Sequence, residues 1–457
     1  MPIVNHIAVI GAGPAGLAAA KALALEPANW IIDVFERRDS IGGVWNFTED
    51  KSTVAPPIPS TDPNGEEKHT EYGNLEIQFP SSMYKKLETN LTDTLMEYSN
   101  VPFQPRKSKF IDRSEVLQYL HKYADTIPKD VHFNFKTNVL GVKKNSGESK
   151  WTVTTENLTS AKKTTDAYDA VVVANGHYEH PFIPDTPGLK KWSERDPHSV
   201  THSKYFVSSA DFRNETVLII GNFASGMDLA MQIGTTAKQV YVSTKDETLE
   251  ESQYDYVKKV RLVTKYDVST RKAHTVDGAT LDNIDRIVFC TGFLYTFPFL
   301  RNYSAEITNG VSVKSLYKQT FYVDDPTLLF IGLTKMNSPL PISESQAAVV
   351  ARVLSGRILL PSVEEMRLSY EAEFSAKGEK EFHSLKGCDY LFANELYDWI
   401  VRSGTEKKGL LPLFWDEKKS SEREGISEVK KNRNIAVAKY ADQLRAEGRE
   451  FEFPKQD

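Results

Sequence analysis

The chain contains 457 residues, of which 40% are hydrophobic and 26% charged, and its formal net charge is −6 at pH 7. The composition is typical of a globular protein and excludes a disordered chain, and a length about two to three times that of a typical domain predicts two domains or one domain with a large insertion. No run of like charges predicts a nucleic-acid partner, and two cysteines, Cys290 and Cys388, exclude a disulfide framework or a cysteine-rich metal site.

No apolar stretch approaches the roughly 20 residues that a membrane span requires. Residues 1–6 lack the basic region and the cleavage pattern of a signal peptide. We therefore expect a cytoplasmic protein without a membrane span.

The N-terminal segment predicts a strand, a tight turn, a helix and a second strand. Ile7–Ile10 is a fully apolar run typical of a central parallel strand, and Leu17–Leu25 is rich in the helix formers Ala and Leu. Ile31–Phe35 predicts the second strand, which ends at Glu36. The whole segment has the length of a βαβ unit.

The turn of this unit has the pattern G-x-G-x-x-G. Its first glycine permits the tight turn, the second lets a diphosphate approach the backbone, and the third lets helix and strand pack closely. Glu36 lies about 20 residues beyond the last glycine, where a carboxylate can accept hydrogen bonds from ribose hydroxyls. The alternative is a glycine-rich turn without a ligand. The residues predicted to hold a dinucleotide are Gly11, Ala12, Gly13, Pro14, Ala15, Gly16 and Glu36.

A second glycine pair, Gly42-Gly43, follows in the segment Ser40–Trp45. It resembles the second dinucleotide contact of flavoproteins of the glutathione-reductase class, and this resemblance favours FAD in the first site, with contacts from Gly43, Val44 and Trp45. The alternative is a loop with a buried tryptophan.

The second βαβ unit begins with the apolar strand Val217–Ile220, continues through Gly221–Gly226 into a helix over Met227–Ile233, and reaches a further strand at Val240–Val242. Phe223 stands where the pattern has its second glycine, and a side chain there would crowd a diphosphate.

The two units predict an α/β fold with two dinucleotide-binding, Rossmann-like domains, glutathione-reductase-like, the smaller inserted into the larger. Apolar strands at Ala170–Ala174 and Ile287–Cys290 bracket the second unit. We expect residues 1–174 to form the first part of an FAD-binding domain, 175–291 an NADP-binding domain, and 292–457 the return segment and C-terminal helices of the FAD domain. The proline-rich Val54–Gly65 predicts a surface loop.

Over most of its length the chain resembles the flavin-containing monooxygenases. Besides the first loop and Gly42–Trp45, four stretches carry this resemblance: Met83–Leu91 with its Thr-Asn pair, Ser225–Asp228 after the second loop, Cys290–Phe293, and Asp325–Leu333 followed by Glu344–Ala347.

The resemblance implies an activity of the N,N-dimethylaniline monooxygenase type, with FAD and NADPH as cofactors. NADPH would reduce FAD, and the reduced flavin would bind O2 as a C4a-hydroperoxide, whose distal oxygen passes to a soft sulfur or nitrogen nucleophile. The substrate would be a small thiol, sulfide or amine, with no nucleic-acid partner; a homodimer is left open. A flavin that carries the difficult step leaves the protein to bind, orient and exclude water.

Asn90 is the predicted catalytic residue, because a neutral amide both donates and accepts hydrogen bonds. The alternative is a turn Asn that caps the following residues. The family pattern further implies cofactor contacts from Thr89, Asn90, Leu91, Val139, Gln346, Gly221, Ala224, Ser225, Gly226, Met227 and Asp228.

Ser243, Thr244 and Lys245 follow the second strand of the second unit. Hydroxyls and an ammonium group suit the 2′-phosphate of NADPH, whereas NAD sites commonly place an acid there. Asp246 is close by, and a charged loop is the alternative.

Two departures from the family pattern keep other functions open. Phe223 replaces a glycine, and the family fingerprint F-x-G-x-x-x-H-x-x-x-Y/F reads Asp196-x-His198-x-x-x-His202-x-x-x-Phe206. A non-catalytic FAD- and NADP-binding redox sensor is therefore one alternative. A Baeyer–Villiger monooxygenase is another, although that class ends the fingerprint in Trp.

The four histidines His177, His180, His198 and His202 lack a carboxylate pattern that would favour metal. Walls of the substrate pocket are expected from two segments taken as loops, Val54–Gly73 and Asp389–Glu395.

Overall fold

The computed structural model describes residues 3–51, 54–65, 68–69, 79–106, 108–144, 147–249, 255–301, 303 and 307–454. Across these ranges, every helix falls short of the length or the apolar character that a bilayer span requires.

The strands in the first half of the chain are β1 (His6–Ile10), β2 (Ile31–Phe35), β3 (Val54–Ala55), β4 (Lys68–His69), β5 (Glu88–Thr92), β6 (Phe110–Asp112), β7 (His132–Asn134), β8 (Thr137–Lys143), β9 (Trp151–Asn157), β10 (Lys163–Tyr168), β11 (Ala170–Val173) and β12 (His180–Pro181). The later strands are β13 (Val200–His202), β14 (Thr216–Ile220), β15 (Gln239–Thr244), β16 (Val257–Arg261), β17 (Val263–Asp267), β18 (Lys272–Thr275), β19 (Thr280–Leu281), β20 (Arg286–Phe289), β21 (Phe293–Leu294), β22 (Leu316–Tyr317), β23 (Phe321–Tyr322) and β24 (Leu328–Phe330). The α-helices are α1 (Pro14–Leu25), α2 (Asp93–Met96), α3 (Arg113–Ala124), α4 (Leu189–Arg195), α5 (Ala224–Gly234), α6 (Pro339–Leu354), α7 (Val363–Lys377), α8 (Asp389–Arg402) and α9 (Glu417–Ala446).

The chain divides into two compact units, each assembled from three segments. The first unit contains Met1–Asn46, Glu88–His177 and Tyr295–Glu428, and the second contains Phe47–Leu87, Tyr178–Leu294 and Val429–Asp457.

The middle segment of the second unit lies within three residues of the expected 175–291 at each end, but two further segments join it. Tyr84 belongs to the same hydrophobic cluster as Val217 and Leu229. Val437 packs in another cluster with Met231, which lies on α5. Burial of these apolar side chains therefore assigns both flanking segments to the second unit, whereas the sequence assigned them to the FAD domain.

The first unit is built on a seven-stranded sheet of order β22-β23-β24-β11-β1-β2-β7. Its strands from β24 to β7 pair in parallel, with Ile7 opposite Ala170 and Ile32. β1 is thus a central strand, as its uninterrupted apolar run predicts, and Ile7, Ala8 and Val9 are fully buried.

The second unit contains a five-stranded parallel sheet of order β13-β20-β14-β15-β16. Val217, Leu218 and Ile219 on β14 are fully buried. The predicted α/β class with two Rossmann-like units is therefore confirmed.

The segments expected as pocket loops are not both loops. Asp389–Glu395 forms the first half of α8, and the prediction of a loop there is wrong. Asp389 is fully buried, accepts a hydrogen bond from the Ser338 backbone N–H at 2.6 Å, and forms an ion pair with Arg423 at 2.8 Å. An acid in the first turn of an amphipathic helix is stabilising, and this favours helix over loop.

Val54–Gly73 lies only partly within the described residues, and Gly73 is outside them. β3 pairs with β4 in antiparallel fashion, and Val54 and Pro56 are buried. The Ser60 hydroxyl donates to the Pro181 carbonyl at 2.7 Å, so this proline-rich segment is not wholly a surface loop.

Candidate active site

The first glycine loop connects β1 to α1 and requires glycine at two of its positions. Gly11 has a φ of +105°, and a Cβ there would lie 2.6 Å from the Ala174 carbonyl oxygen. A Cβ on Gly16 would collide with the Gly11 carbonyl. The loop is therefore a turn of bare backbone at the N-terminus of a 12-residue helix, where unpaired N–H groups and the helix dipole favour a diphosphate.

Gly13 and Gly43 bring two backbone segments into direct contact. A Cβ on Gly43, whose φ is +55°, would lie 2.7 Å from the Gly13 Cα, and one on Gly13 would lie 3.4 Å from the Gly43 Cα. The Gly42 N–H donates to the Ala12 carbonyl at 2.9 Å. This cradle, which a side chain would fill, fits a dinucleotide diphosphate.

Glu36 is buried beside the loop. Its Oε2 accepts from the Ala12 N–H and its Oε1 from the Arg38 N–H, both at 2.9 Å. Each carboxylate oxygen has a second lone pair. Glu36 therefore has the geometry for accepting hydrogen bonds from ribose hydroxyls.

The remaining predicted flavin contacts in this unit differ in which of their atoms could reach a ligand. Trp45 is buried and Val44 half-buried in the 3₁₀ turn Gly43–Trp45. The Val139 side chain lies in the hydrophobic core, so that only its backbone could reach a ligand. The Gln346 side-chain amide accepts from the Gly332 N–H at 3.1 Å and donates to Thr320 Oγ1 at 2.9 Å, so it is held by residues after β24 and before β23. In the first glycine loop, Pro14 begins α1 and its carbonyl accepts from the Tyr98 hydroxyl at 2.9 Å, while Ala15 is buried.

Thr89, Asn90 and Leu91 lie in β5, at an irregularity in its pairing with β6 between Glu88 and Thr92. Thr89 Oγ1 donates to the Leu91 carbonyl at 2.8 Å and accepts from the Ile111 N–H at 2.9 Å. Asn90 is exposed, and Thr92 rather than Asn90 occupies the cap position of α2. The alternative of a capping Asn is therefore wrong, and the Asn90 amide faces outward at a strand irregularity, a feature common beside active sites.

The second glycine loop repeats the essential turn. Gly221 has a φ of +111°, and a Cβ there would lie 2.5 Å from the Cys290 carbonyl oxygen. A Cβ on Gly226 would collide with the Gly221 carbonyl. Phe223 occupies the cap position of α5 with an extended backbone, φ −99° and ψ −167°, that any residue adopts. Its side chain is 65% exposed, so the ring is not packed into the protein.

The first turns of α5 carry the other predicted contacts. Ala224 and Ser225 are exposed, and Met227 is 54% exposed. Asp228 accepts hydrogen bonds from the Tyr84 hydroxyl and from the Gln232 amide, which also donates to the Lys86 carbonyl at 2.7 Å. Asp228 therefore ties α5 to the segment before β5, and α5 offers its exposed N-terminal backbone to a ligand.

Tyr84 and Gln232 were not among the predicted site residues. Burial, and after it the Asp228 carboxylate, raises the pKa of the Tyr84 phenol, which keeps its proton and acts as a donor. Gln232 stands one helical turn after Asp228, a spacing that could have indicated the contact. Tyr84 is 144 positions away from Asp228, and no local pattern reveals it.

The three predicted phosphate-binding residues at the end of β15 differ in exposure. Ser243 is buried, and its hydroxyl accepts from the Val263 N–H at 3.0 Å. Thr244 is also buried and donates to Asp246 at 2.6 Å. Lys245 is exposed, so of these three the lysine alone presents its polar group at the surface.

The fingerprint residues His202 and Phe206 are structural in this unit. His202 is fully buried, with Nε2 3.0 Å from the Gly292 carbonyl and Nδ1 accepting from the Lys204 N–H at 3.1 Å. Burial lowers the pKa of His202 to about 3, so the ring is neutral. Phe206 belongs to the hydrophobic cluster around β14. Among the described residues, no group of three or more His, Cys, Asp or Glu is arranged to bind a metal.

Comparison with known proteins gives matches along nearly the whole chain. A family model described as flavin-binding monooxygenase-like matches residues 69–267 and 256–400, and one of an NAD(P)-binding Rossmann-like domain matches residues 9–59. A thiol-specific monooxygenase of Saccharomyces cerevisiae is 29% identical over 98% of each chain. The flavin-containing monooxygenase FMO GS-OX4 of Arabidopsis thaliana is 34% identical over 87% of this chain and 84% of its own.

Among solved structures, the S-allyl-L-cysteine S-oxygenase from Allium sativum superimposes with a TM-score of 0.77 at 28% identity and covers 98% of both chains. The Tmm protein of Pelagibacter sp. strain HTCC7211, 22% identical with a TM-score of 0.74, shares the fold.

Proposed function

Because the chain belongs to the flavin-containing monooxygenase family, whose members use FAD and NADPH, we propose that it oxygenates the sulfur atom of small thiols or thioethers. The observation that carries the proposal is end-to-end similarity to two proteins named for sulfur chemistry. The thiol-specific monooxygenase and the S-allyl-L-cysteine S-oxygenase each match over 98% of this chain.

Bound FAD, once reduced by NADPH, supplies activated oxygen from O2 that a soft nucleophile can accept. The first unit would hold it through the cradle of Gly11, Gly13 and Gly43, with Glu36 accepting from a ribose. The bare backbone of the cradle lets the diphosphate approach, and the N-terminus of α1 stabilises its charge.

Asn90 would orient the reacting groups. Its amide is exposed and its neighbour Thr89 is fixed by two hydrogen bonds, so the strand holds the amide while its polar atoms stay available. An amide cannot give up a proton at neutral pH, so Asn90 can donate a hydrogen bond to activated oxygen without protonating it.

The second unit would hold NADPH. Gly221 and Gly226 keep the turn that a diphosphate requires, and the exposed Ala224 and Ser225 place backbone N–H groups at the start of α5. Phe223 lies at the surface of this loop, which supports nucleotide binding over a loop closed by an aromatic ring.

The choice of sulfur is tested with two substrates that share the phenyl ring, thioanisole with a methylated sulfur and N,N-dimethylaniline with a dimethylated nitrogen. We expect NADPH-dependent oxygen uptake to rise at least tenfold more with the sulfide than with the amine, and the sulfoxide to form. Preference for the amine would contradict the proposal, and so would faster conversion of cyclohexanone to its lactone, which is the Baeyer–Villiger reaction.

A further inference from the structure

The carboxyl ends of β15 and β16 place Arg261 beside the predicted phosphate-binding segment. The two strands are parallel, and Arg261, the last residue of β16, pairs with Thr244, the last residue of β15. In a Rossmann unit, ligands bind outside the carboxyl ends of the strands, and the ribose of the dinucleotide lies near the end of the second strand. Arg261 therefore stands at the edge of the sheet where the adenosine ribose is expected.

The Ser243 and Thr244 hydroxyls, which the sequence predicts as phosphate ligands, form hydrogen bonds within the protein. Ser243 Oγ accepts from the Val263 N–H, and Thr244 Oγ1 donates to Asp246. This leaves the exposed Lys245 as one cation for a dianionic phosphate, next to the carboxylate of Asp246. A second cation at this edge would balance that charge.

The Arg261 guanidinium has N–H donors that could bind a phosphate. Among the described residues, its side chain makes one hydrogen bond, from Nη1 to the Glu247 carbonyl at 2.8 Å, so the guanidinium lies against the loop that contains Lys245. A guanidinium carries five N–H donors. Among the described residues, the acids near Arg261 and Lys245 include Asp246, whose carboxylate accepts from Thr244, Glu247, whose carbonyl accepts from Arg261, and Asp277, whose carboxylate accepts from the Thr275 hydroxyl. The carboxylates of Asp246 and Asp277 are thus each engaged with a threonine of their own segment.

We propose that Arg261, together with Lys245, binds the 2′-phosphate of NADPH and determines the preference for NADPH over NADH. A planar guanidinium binds phosphate oxygens in pairs, and an arginine near the ribose accommodates the 2′-phosphate in NADP-dependent Rossmann units. This role of Arg261 rests on the proposed function, in which the second unit binds NADPH.

The test measures binding of two nucleotides that differ in the 2′-phosphate alone, adenosine 2′,5′-bisphosphate and adenosine 5′-monophosphate, by calorimetry on the FAD-loaded protein. In Arg261→Gln we expect Kd for the bisphosphate to rise about tenfold, the loss of a charge-assisted hydrogen bond, and Kd for the monophosphate to change less than twofold. Arg261→Lys restores part of the affinity, since it restores the charge.

Lys258→Gln is the matched control, because Lys258 is an exposed cation on the same strand. It should leave both Kd values unchanged. Equal weakening of both nucleotides in Arg261→Gln, or an unchanged Kd for the bisphosphate, would overturn the inference. No sulfur compound and no oxygen enter this experiment, so its outcome is independent of the substrate proposed above.

Discussion

Thr89 and Asn90 are neighbours in β5 with opposite environments. Thr89 is buried and fixes the strand through the Leu91 carbonyl and the Ile111 N–H, whereas Asn90 is exposed. Successive side chains of a strand point to opposite faces, so the two neighbours meet different surroundings. We therefore propose that Thr89 positions the strand and that Asn90 contacts the reacting groups.

Replacing Asn90 with alanine should uncouple NADPH oxidation from substrate oxygenation. The exposed amide can be removed without disturbing the bonds of Thr89, so FAD content should be unchanged. Loss of one hydrogen bond to activated oxygen predicts about a tenfold fall in the ratio of sulfoxide formed to NADPH consumed, with hydrogen peroxide released instead.

The matched variant is Asn90→Asp, which keeps the shape and the acceptor oxygen but loses the donor. If the amide acts by donating a hydrogen bond, Asn90→Asp should uncouple NADPH oxidation from oxygenation to the same extent as Asn90→Ala. Full coupling in Asn90→Ala would refute the role of Asn90.

Some residue roles followed from the sequence and others could not. The glycines of both loops were predictable because a left-handed φ or a close backbone contact requires glycine. The directions of the Ser243 and Thr244 hydroxyls were not, since they depend on Val263 and Asp246.

The two glycine loops show why their middle positions differ. In the first, a Cβ on Gly13 would already lie in van der Waals contact with the Gly43 Cα, at 3.4 Å. In the second, Phe223 has an ordinary extended backbone and an exposed ring. The turn itself therefore does not require glycine at the middle position, and the two loops differ in what lies against that position.

Helices α1, α3 and α6 enclose a buried carboxyl group, Glu344. Its Oε2 accepts from the Ser99 N–H at 2.7 Å and its Oε1 from the Tyr123 hydroxyl at 3.0 Å. Tyr98 stacks on Tyr123 and donates to the Pro14 carbonyl at the start of α1. Burial raises the pKa of Glu344 to about 7, against hydrogen bonds and the nearby Lys21 that lower it.

This raised pKa predicts a pH-dependent loss of stability. Between about pH 4.5 and pH 7 the unfolded chain releases the proton of Glu344 while the folded chain keeps it, so the free energy of unfolding falls as pH rises through this window. The full effect is about 3 kcal/mol above pH 7. Glu344→Gln is always neutral and should escape this loss.

The measurement is the thermal unfolding midpoint of parent and Glu344→Gln between pH 5 and pH 8. We expect the variant to gain on the parent as pH rises. Glu364→Gln, an exposed carboxyl on α7, is the control and should follow the parent. Parallel curves for parent and Glu344→Gln would show that Glu344 does not titrate in this range.

At the scale of the whole chain, the sequence predicted the two Rossmann-like units but not all the segments that complete them. Strands and loops of each βαβ start are local patterns, so they could be recognised. Assignment of Phe47–Leu87 and Val429–Asp457 to the second unit depends on contacts between residues far apart in sequence. The helix at Asp389 was missed for a related reason, since Ser338 and Arg423 stabilise it.

Arg445 is the clearest of these distant contacts within the second unit. Its guanidinium donates to the carbonyls of Gly234, Ala237 and Lys238 at and beyond the C-terminus of α5, and it lies 4.2 Å above the Tyr256 ring. A cation at a helix C-terminus satisfies carbonyls that have no partner in the helix and complements the helix dipole. The C-terminal segment thus stabilises the end of α5 opposite its glycine loop.

Arg445→Ala should lower the free energy of unfolding of the second unit by about 1–2 kcal/mol, because several carbonyls lose a charged donor together. Arg449→Ala is the matched control: Arg449 pairs with Glu447 and Glu452 at the surface, where an ion pair contributes about 0–1 kcal/mol. Hydrogen exchange of the α5 and β15 amides measures the difference locally, and these amides should exchange faster in Arg445→Ala than in Arg449→Ala. Equal exchange in the two variants would mean that the C-terminal segment covers α5 without stabilising it.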